Sequence, residues 1–454
     1  MIFASTRDSS RKVMFQEAVF TGLAPDGGLF HPLEKPDLSD LFRNLAGTSS
    51  FLEIATQVTA ALFPDEIGKA GAEEICSRAF DFSPKLRPMT GEIAVLELFH
   101  GPSCAFKDFG ASFLASSMEY FLKSEERRAV ILTATSGDTG SAVARAFHGK
   151  DSIDVVILYP SGRVSPLQEK QLTTAGGNVH ALEVKGSFDD CQRMVKEAFT
   201  DPVLSRDIPL TSANSINLGR LIPQSYYYIW AALQDPSDTP LCFCVPSGNF
   251  GNLTAGVLAR EWGLGVDRFI AATNINDVVP EYLKHRIFTP RPSVKTYSNA
   301  MDVGNPSNFE RLLAIFENEW TLMRNTLEEE VVTDAETAQT IRRIYRETGS
   351  FLDPHTAVGY LAAERFLRRS GSGGSGKAGA GTAVGGTGTP NGRPRVITLA
   401  TAHPGKFREI VEEATGETVP LPPQLEAVLE LEKQSTEIEN TKEGLGDFLR
   451  GNFG

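Results

Sequence analysis

From Glu92 onward, short apolar runs alternate with stretches in which apolar residues recur every three or four positions. The runs at 93–99, 129–133, 153–158, 179–184, 241–245, 268–273 and 395–401 read as buried strands, ended by Gly, Pro, Ser or Thr punctuation. Between them lie helical patterns, such as Ala142, Val143, Ala146 and Phe147, and the stretch from Thr356 to Arg368. Alternating β and α segments predict an α/β fold with a parallel or mostly parallel sheet covered by helices. Residues 1–88 are different. Amphipathic helix patterns such as Leu52 to Leu62 dominate there, and the segment Pro84 to Pro88 closes them off, which predicts an accessory N-terminal domain. Ser370 to Gly392 is a Gly/Ser/Ala/Thr run with almost no apolar bulk. Burial there cannot offset the entropy of ordering, so residues 370–394 are expected to form a mobile insertion between a helix and the last strand.

Composition narrows the partners. A net charge of -13 argues against nucleic acid and against an anionic membrane surface, since both are polyanions. The same charge means that an anionic ligand must be met by local donors: loops, helix N-termini and a few Lys or Arg side chains. Cys76, Cys104, Cys191, Cys242 and Cys244 show no metal spacing, so no metal site is expected. Their odd number fits a reducing compartment, and with no apolar run of membrane-spanning length the cytoplasm is the expected location.

Candidate chemistry centres on His100-Gly101-Pro102-Ser103-Cys104-Ala105-Phe106-Lys107-Asp108-Phe109-Gly110. Gly101-Pro102 ends a strand, and Lys107 falls at the start of a helix whose apolar face is Phe109, Phe113, Leu114 and Tyr120/Phe121. A lysine partly desolvated among such neighbours has a lowered pKa and a free amine able to attack a carbonyl. Taken alone, the run also describes an ordinary surface lysine on a first helical turn. Three strand–turn–helix loops tip the balance: Thr135-Ser136-Gly137-Asp138-Thr139-Gly140, Ser247-Gly248-Asn249-Phe250-Gly251-Asn252 and Thr401-Ala402-His403-Pro404-Gly405-Lys406. Such loops aim free backbone N–H groups at an anion. An aldehyde cofactor carrying a phosphate would use both the lysine and the loops.

With these motifs in order, the chain resembles the long-chain threonine synthases, within the tryptophan-synthase-β-like fold of pyridoxal-phosphate enzymes. The resemblance also covers Gly22 to Phe30, Asn214-Ser215-Ile216-Asn217, Ala271 to Asp277 and Ser298 to Val303, nearly the whole chain apart from the insertion. It implies two open, mostly parallel lobes, a larger one from 89–108 and 214–454 and a smaller one from 109–213, with the cofactor between them. It implies pyridoxal 5'-phosphate held as a Schiff base by Lys107, which is also the catalytic residue. The cofactor phosphate would lie on Gly248, Asn249, Phe250, Gly251 and Asn252, and Thr401 would meet the pyridine nitrogen. Ser136, Gly137 and Thr139 would grip the substrate carboxylate, and Asn214, Ser215 and Arg220 its phosphate. The implied reaction converts O-phosphohomoserine and water to L-threonine and phosphate. A phospho-lyase of the same family releasing 2-oxobutyrate, a serine/threonine dehydratase and a non-catalytic binding relative are the competing readings. The loop Ser247 to Asn252, Arg220 and the presence of Lys107 speak against them in that order. His403 is expected to orient its loop rather than act as a base.

Overall fold

The computed structural model describes residues 1–454 except 46, 124–126, 136, 235–238 and 373–391. Most of the insertion expected at 370–394 therefore lies outside the described residues. Two sheets carry the molecule. The larger has six strands in the order Leu327–Val331, Arg268–Thr273, Leu241–Pro246, Arg395–Ala400, Ile93–Glu97, Lys85–Pro88. All neighbours run parallel except Lys85–Pro88, which is antiparallel to Ile93–Glu97 and ends in a proline that only an edge strand tolerates. The smaller has five parallel strands in the order Thr436–Glu439, Val179–Lys185, Ile153–Pro160, Ala129–Ala134, Leu210–Thr211.

Parallel pairing positions the site. Leu241–Pro246, Arg395–Ala400 and Ile93–Glu97 are successive neighbours, so their C-terminal ends share one edge of the sheet. The loops that follow them (247–250, 401–403 and 98–106) therefore emerge side by side, where open α/β sheets receive ligands.

The N-terminal helices pack behind this edge. In Phe51–Leu62, Phe51, Ile54, Ala55, Val58 and Leu62 fall on one buried face, and the Ser50 side chain accepts from Glu53 N–H at the helix start. Phe51 meets Phe109 edge-on at 5.2 Å, and Phe80 stacks on Phe113 at 6.3 Å. Phe109 and Phe113 belong to the helix Lys107–Leu122, so the N-terminal domain forms the back wall of the lysine's own helix. The fully buried Arg311 adds a second tie, donating to Phe30 O at 2.8 Å and to Ile216 O at 2.7 Å.

Three local expectations change. Leu327–Val331, whose Glu328-Glu329-Glu330 looks like a solvated helix face, is an edge strand, because cationic side chains neutralise it: Arg268 reaches Glu328 at 2.7 Å and Arg324 reaches Glu329 at 2.5 Å. The stretch from Asn214 to Leu233, which reads as one continuous helix, is two helices, Leu218–Leu221 and Gln224–Gln234, with Pro223 at the break. The larger lobe was expected to extend to residue 454, yet Thr436–Glu439 pairs with Val179–Lys185 of the smaller sheet. The reason is burial: Leu445 and Leu449 of the final helix fill the core beneath that sheet.

Candidate active site

Lys107 is the first residue of its helix, and the turn before it is clamped to the end of the strand Arg395–Ala400. Phe106 N–H donates to Thr401 O at 2.8 Å, His403 N–H donates to Cys104 O at 3.0 Å, and Ala105 bridges Ala402. The carboxylate of Asp108 accepts from Ser103 N–H at 2.9 Å, closing the turn from inside. A Cβ on Gly101 would stand 2.5 Å from that carboxylate, so the turn has room only for glycine there.

The Lys107 side chain is 17% exposed, and its Nζ lies 3.6 Å from Asp138 Oδ2. Burial depresses its pKa; Asp138 opposes that shift, while the positive charges of Lys406 and Arg220 add to it. Asp138 stands at the start of the helix Asp138–Phe147 and is itself buried. Burial would raise its pKa, but Lys406 and Lys107 outweigh that and hold the carboxyl well below the usual range. Its Oδ1 accepts from Lys406 Nζ at 2.8 Å and from Gln168 Nε2 at 2.9 Å. Gly137, at φ +148°, turns the chain into this helix; a Cβ there would be 2.7 Å from the Gln168 amide. Thr139 sits in the first turn of the same helix, half-buried. Ser136 lies outside the described residues.

The loop 247–250 joins Leu241–Pro246 to the helix Gly251–Glu261. Its side chains brace it. Asn252 Oδ1 accepts from Ser247 Oγ at 2.6 Å and from Leu253 N–H at 3.0 Å, and Asn252 Nδ2 donates to Pro246 O at 2.9 Å. Asn249, exposed, accepts through Oδ1 from Ser307 N–H at 3.3 Å. The backbone N–H groups of Gly248 to Asn252, by contrast, donate to no acceptor among the described residues. Phe250 adopts the left-handed conformation at φ +60°, which curls consecutive amides into a nest ahead of a helix N-terminus. A Cβ on Gly248 would come within 2.8 Å of Ala300 O and Met301 Cα, so the neighbouring loop closes on it tightly. A braced cradle of open amides fits a phosphate, and a poised lysine fits an aldehyde. Together they fit pyridoxal phosphate.

Arg220 is a second cationic donor in the site. It is buried, donates through Nη1 to Ala213 O at 2.6 Å, and has an Nε without a partner among the described residues. Burial lowers its pKa to about 10, opposed by Asp108, so it remains a cation at neutral pH. Gly110 brings the lysine helix against it, since a Cβ there would be 2.6 Å from Arg220 O. Asn214 and Ser215 are half-buried at the mouth of this turn, with Asn214 Oδ1 accepting from the Thr133 hydroxyl. Asn217 is spent on structure, donating to Val19 O at 2.8 Å and Ser212 O at 2.9 Å.

Thr401 is buried, with its carbonyl engaged by Phe106. His403 Nδ1 accepts from Gly405 N–H at 3.0 Å and caps the short 3₁₀ turn Pro404–Phe407, and its ring meets Phe99 edge-on at 5.3 Å. Burial brings its pKa down to about 4, so it is neutral at pH 7 and acts as a brace. Sequence reasoning gave no role to Lys406 or Gln168. The only local signal for Lys406 is a lysine directly after Pro404-Gly405, in a segment whose neighbours Ala402 and Phe407 are apolar.

Comparison with known proteins bears on the whole chain. The family described as pyridoxal-phosphate dependent enzyme matches residues 83–380, threonine synthase N terminus matches 2–80, and threonine synthase, C-terminal, matches 380–448. A threonine synthase from Serratia marcescens is 39% identical, with 98% of each chain covered. Among solved structures, the chain is similar to the pyridoxal-phosphate-bound threonine synthase of Brucella melitensis (TM-score 0.90, 35% identity, 100% of this chain and 99% of that one). It is also similar to the threonine synthase of Escherichia coli (TM-score 0.87, 39% identity, 99% and 100%).

Proposed function

The chain belongs to the threonine synthase family of pyridoxal-phosphate-dependent lyases, and on that premise we propose that its substrate is O-phosphohomoserine, converted with water to L-threonine and phosphate. The observation that supports the substrate assignment is two separate sets of donors suited to anions in a site with one largely buried lysine. One is made of the open amides of Gly248 to Asn252, the other is centred on Arg220. A cofactor phosphate accounts for one, and a phosphorylated substrate accounts for the other.

In this reading Gly248, Asn249, Phe250, Gly251 and Asn252 hold the cofactor phosphate through their backbone, and Lys107 anchors the aldehyde end. Thr401 lies at the pyridine nitrogen. The cofactor, when bound, supplies an electron sink for the bonds at the substrate's α-carbon. Arg220, with Asn214 and Ser215, binds the substrate phosphate and stabilises it as a leaving group. Ser136, Gly137 and Thr139 hold the carboxylate at the start of the helix Asp138–Phe147, where its N-terminal dipole favours an anion. Lys107, released from its anchoring role, takes the proton from Cα, serves Cβ next, and returns a proton to Cα after water has added at Cβ. A flexible amine with a depressed pKa suits successive transfers at adjacent carbons. All five cysteines are free and buried, which suits a reducing compartment, and we place the reaction in the cytoplasm.

Incubating the purified protein with O-phosphohomoserine tests this. Threonine and phosphate in equal amounts are expected. Release of 2-oxobutyrate instead would make it a phospho-lyase, and no phosphate release would overturn the substrate assignment.

A further inference from the structure

We propose that Lys406 is a positioning residue for Lys107: by occupying Asp138, it lets that carboxylate orient the attacking amine without pinning it as an ammonium. The inference rests on the reading of Lys107 as the amine that takes the cofactor. The geometry is asymmetric. Lys406 Nζ lies 2.8 Å from Asp138 Oδ1, whereas Lys107 Nζ is 3.6 Å from Oδ2, beyond a good hydrogen bond. Lys406 is also committed elsewhere, donating to Ser103 O at 2.8 Å, and its side chain is fully buried. Gln168 takes a further share of Oδ1 at 2.9 Å.

Counting charge leads to the same place. The titratable groups around Lys107 are Asp138 at the start of its helix, Lys406 on the turn Pro404–Phe407, Arg220 on the short helix opposite, and Asp108 beside it. The two carboxylates face Lys406 and Arg220, and Arg145 of the helix Asp138–Phe147 brings a third positive charge toward Asp108. A protonated Lys107 would be the surplus charge in a buried site, where an unbalanced ion is costly. Without Lys406, Asp138 has only Lys107 to pair with, and the amine is drawn into its charged, non-nucleophilic form.

The test reads Lys107 itself. Full-length protein resolved from its cofactor is treated with a limiting amine-acylating reagent across a pH series, and labelling of the Lys107 peptide is followed by mass spectrometry. In Lys406→Met the labelling midpoint should rise by at least about one pH unit, roughly a tenfold loss of labelling near neutral pH. In Asp138→Asn, which leaves Lys406 facing the amine, the midpoint should move the other way. A merely structural role for Lys406 predicts no such opposed shifts. An unchanged midpoint in folded Lys406→Met overturns the proposal. If that variant does not fold, Asp138→Asn decides alone, and a midpoint that stays put or rises overturns it. Pyridoxal phosphate should block labelling of Lys107. Labelling that persists would remove the cofactor reading, while the midpoints still judge the coupling.

Discussion

The two donor-rich regions of the site are built in opposite ways. In the loop 247–252 Asn252 braces the turn with three hydrogen bonds to Ser247 and the flanking Pro246 and Leu253, Asn249 points outward, and the backbone amides stay open. Around Arg220 the uncommitted polar group is a side-chain atom, the guanidinium Nε, and the backbone is occupied in two helices broken at Pro223. A backbone site reads shape and tolerates side-chain change wherever no Cβ clash arises. A side-chain site depends on each donor. A permanent cofactor suits the first design, and a substrate that must leave suits the second.

The comparison can be broken most severely at Gly248. In Gly248→Val the added atoms collide with Ala300 and Met301 backbone, so the cradle must open. Overpacking of this kind costs about 3 kcal/mol, roughly a hundredfold in cofactor affinity, measurable as loss of visible absorbance on dialysis. Arg220→Ala should leave that absorbance intact. It should raise the KM for O-phosphohomoserine by about one to two decades, the worth of a charge-assisted contact of about 1.5–3 kcal/mol. Steady-state kinetics check it, and cofactor loss without a KM effect would mean that the two sites have exchanged roles.

A smaller effect sharpens the idea of bracing side chains. His403 has its folded pKa at about 4, below the unfolded value near 6.5. As pH falls through that window the unfolded chain takes up the proton first, so the folded state loses stability on acidification. His403→Asn, which keeps an acceptor for Gly405 N–H, should flatten the fall of Tm between about pH 6.5 and 4. Smallest of all, Asn249→Ala removes an exposed side chain with long contacts to Ser307. It should change cofactor affinity by no more than about twofold, because surface substitutions rarely exceed about 0.5 kcal/mol.

The strands around the site were legible because parallel strands buried on both faces appear as unbroken apolar runs, such as Phe269-Ile270-Ala271-Ala272. Leu327–Val331 was not, because its glutamates are neutralised by arginines distant in the sequence or on another element. Thr436–Glu439 was hidden for a related reason: an exposed polar edge strand has no apolar signature, and its parallel partner lies far upstream. Within the site, glycines such as Gly137 and Gly248 announced themselves, since each stands in a short strand–turn–helix run readable without its distant neighbours. Lys406 did not. Nothing in its own neighbourhood says that its ammonium crosses to Asp138 and Ser103.

That crossing sets a timetable. Ser103 and Lys406 are 303 residues apart along the chain. At about 5–20 residues per second, Lys107 leaves the ribosome roughly 15–60 s before Lys406, which completes its surroundings. Throughout that interval Lys107 lacks the burial that lowers its pKa in the folded protein, and an exposed lysine is mostly an ammonium near neutral pH. The setting of Lys107 is thus complete only once the strand Arg395–Ala400 has docked and brought Lys406 with it. A chain that stalls before residue 406 lacks the ammonium that ties Asp138 to Ser103 in the folded protein.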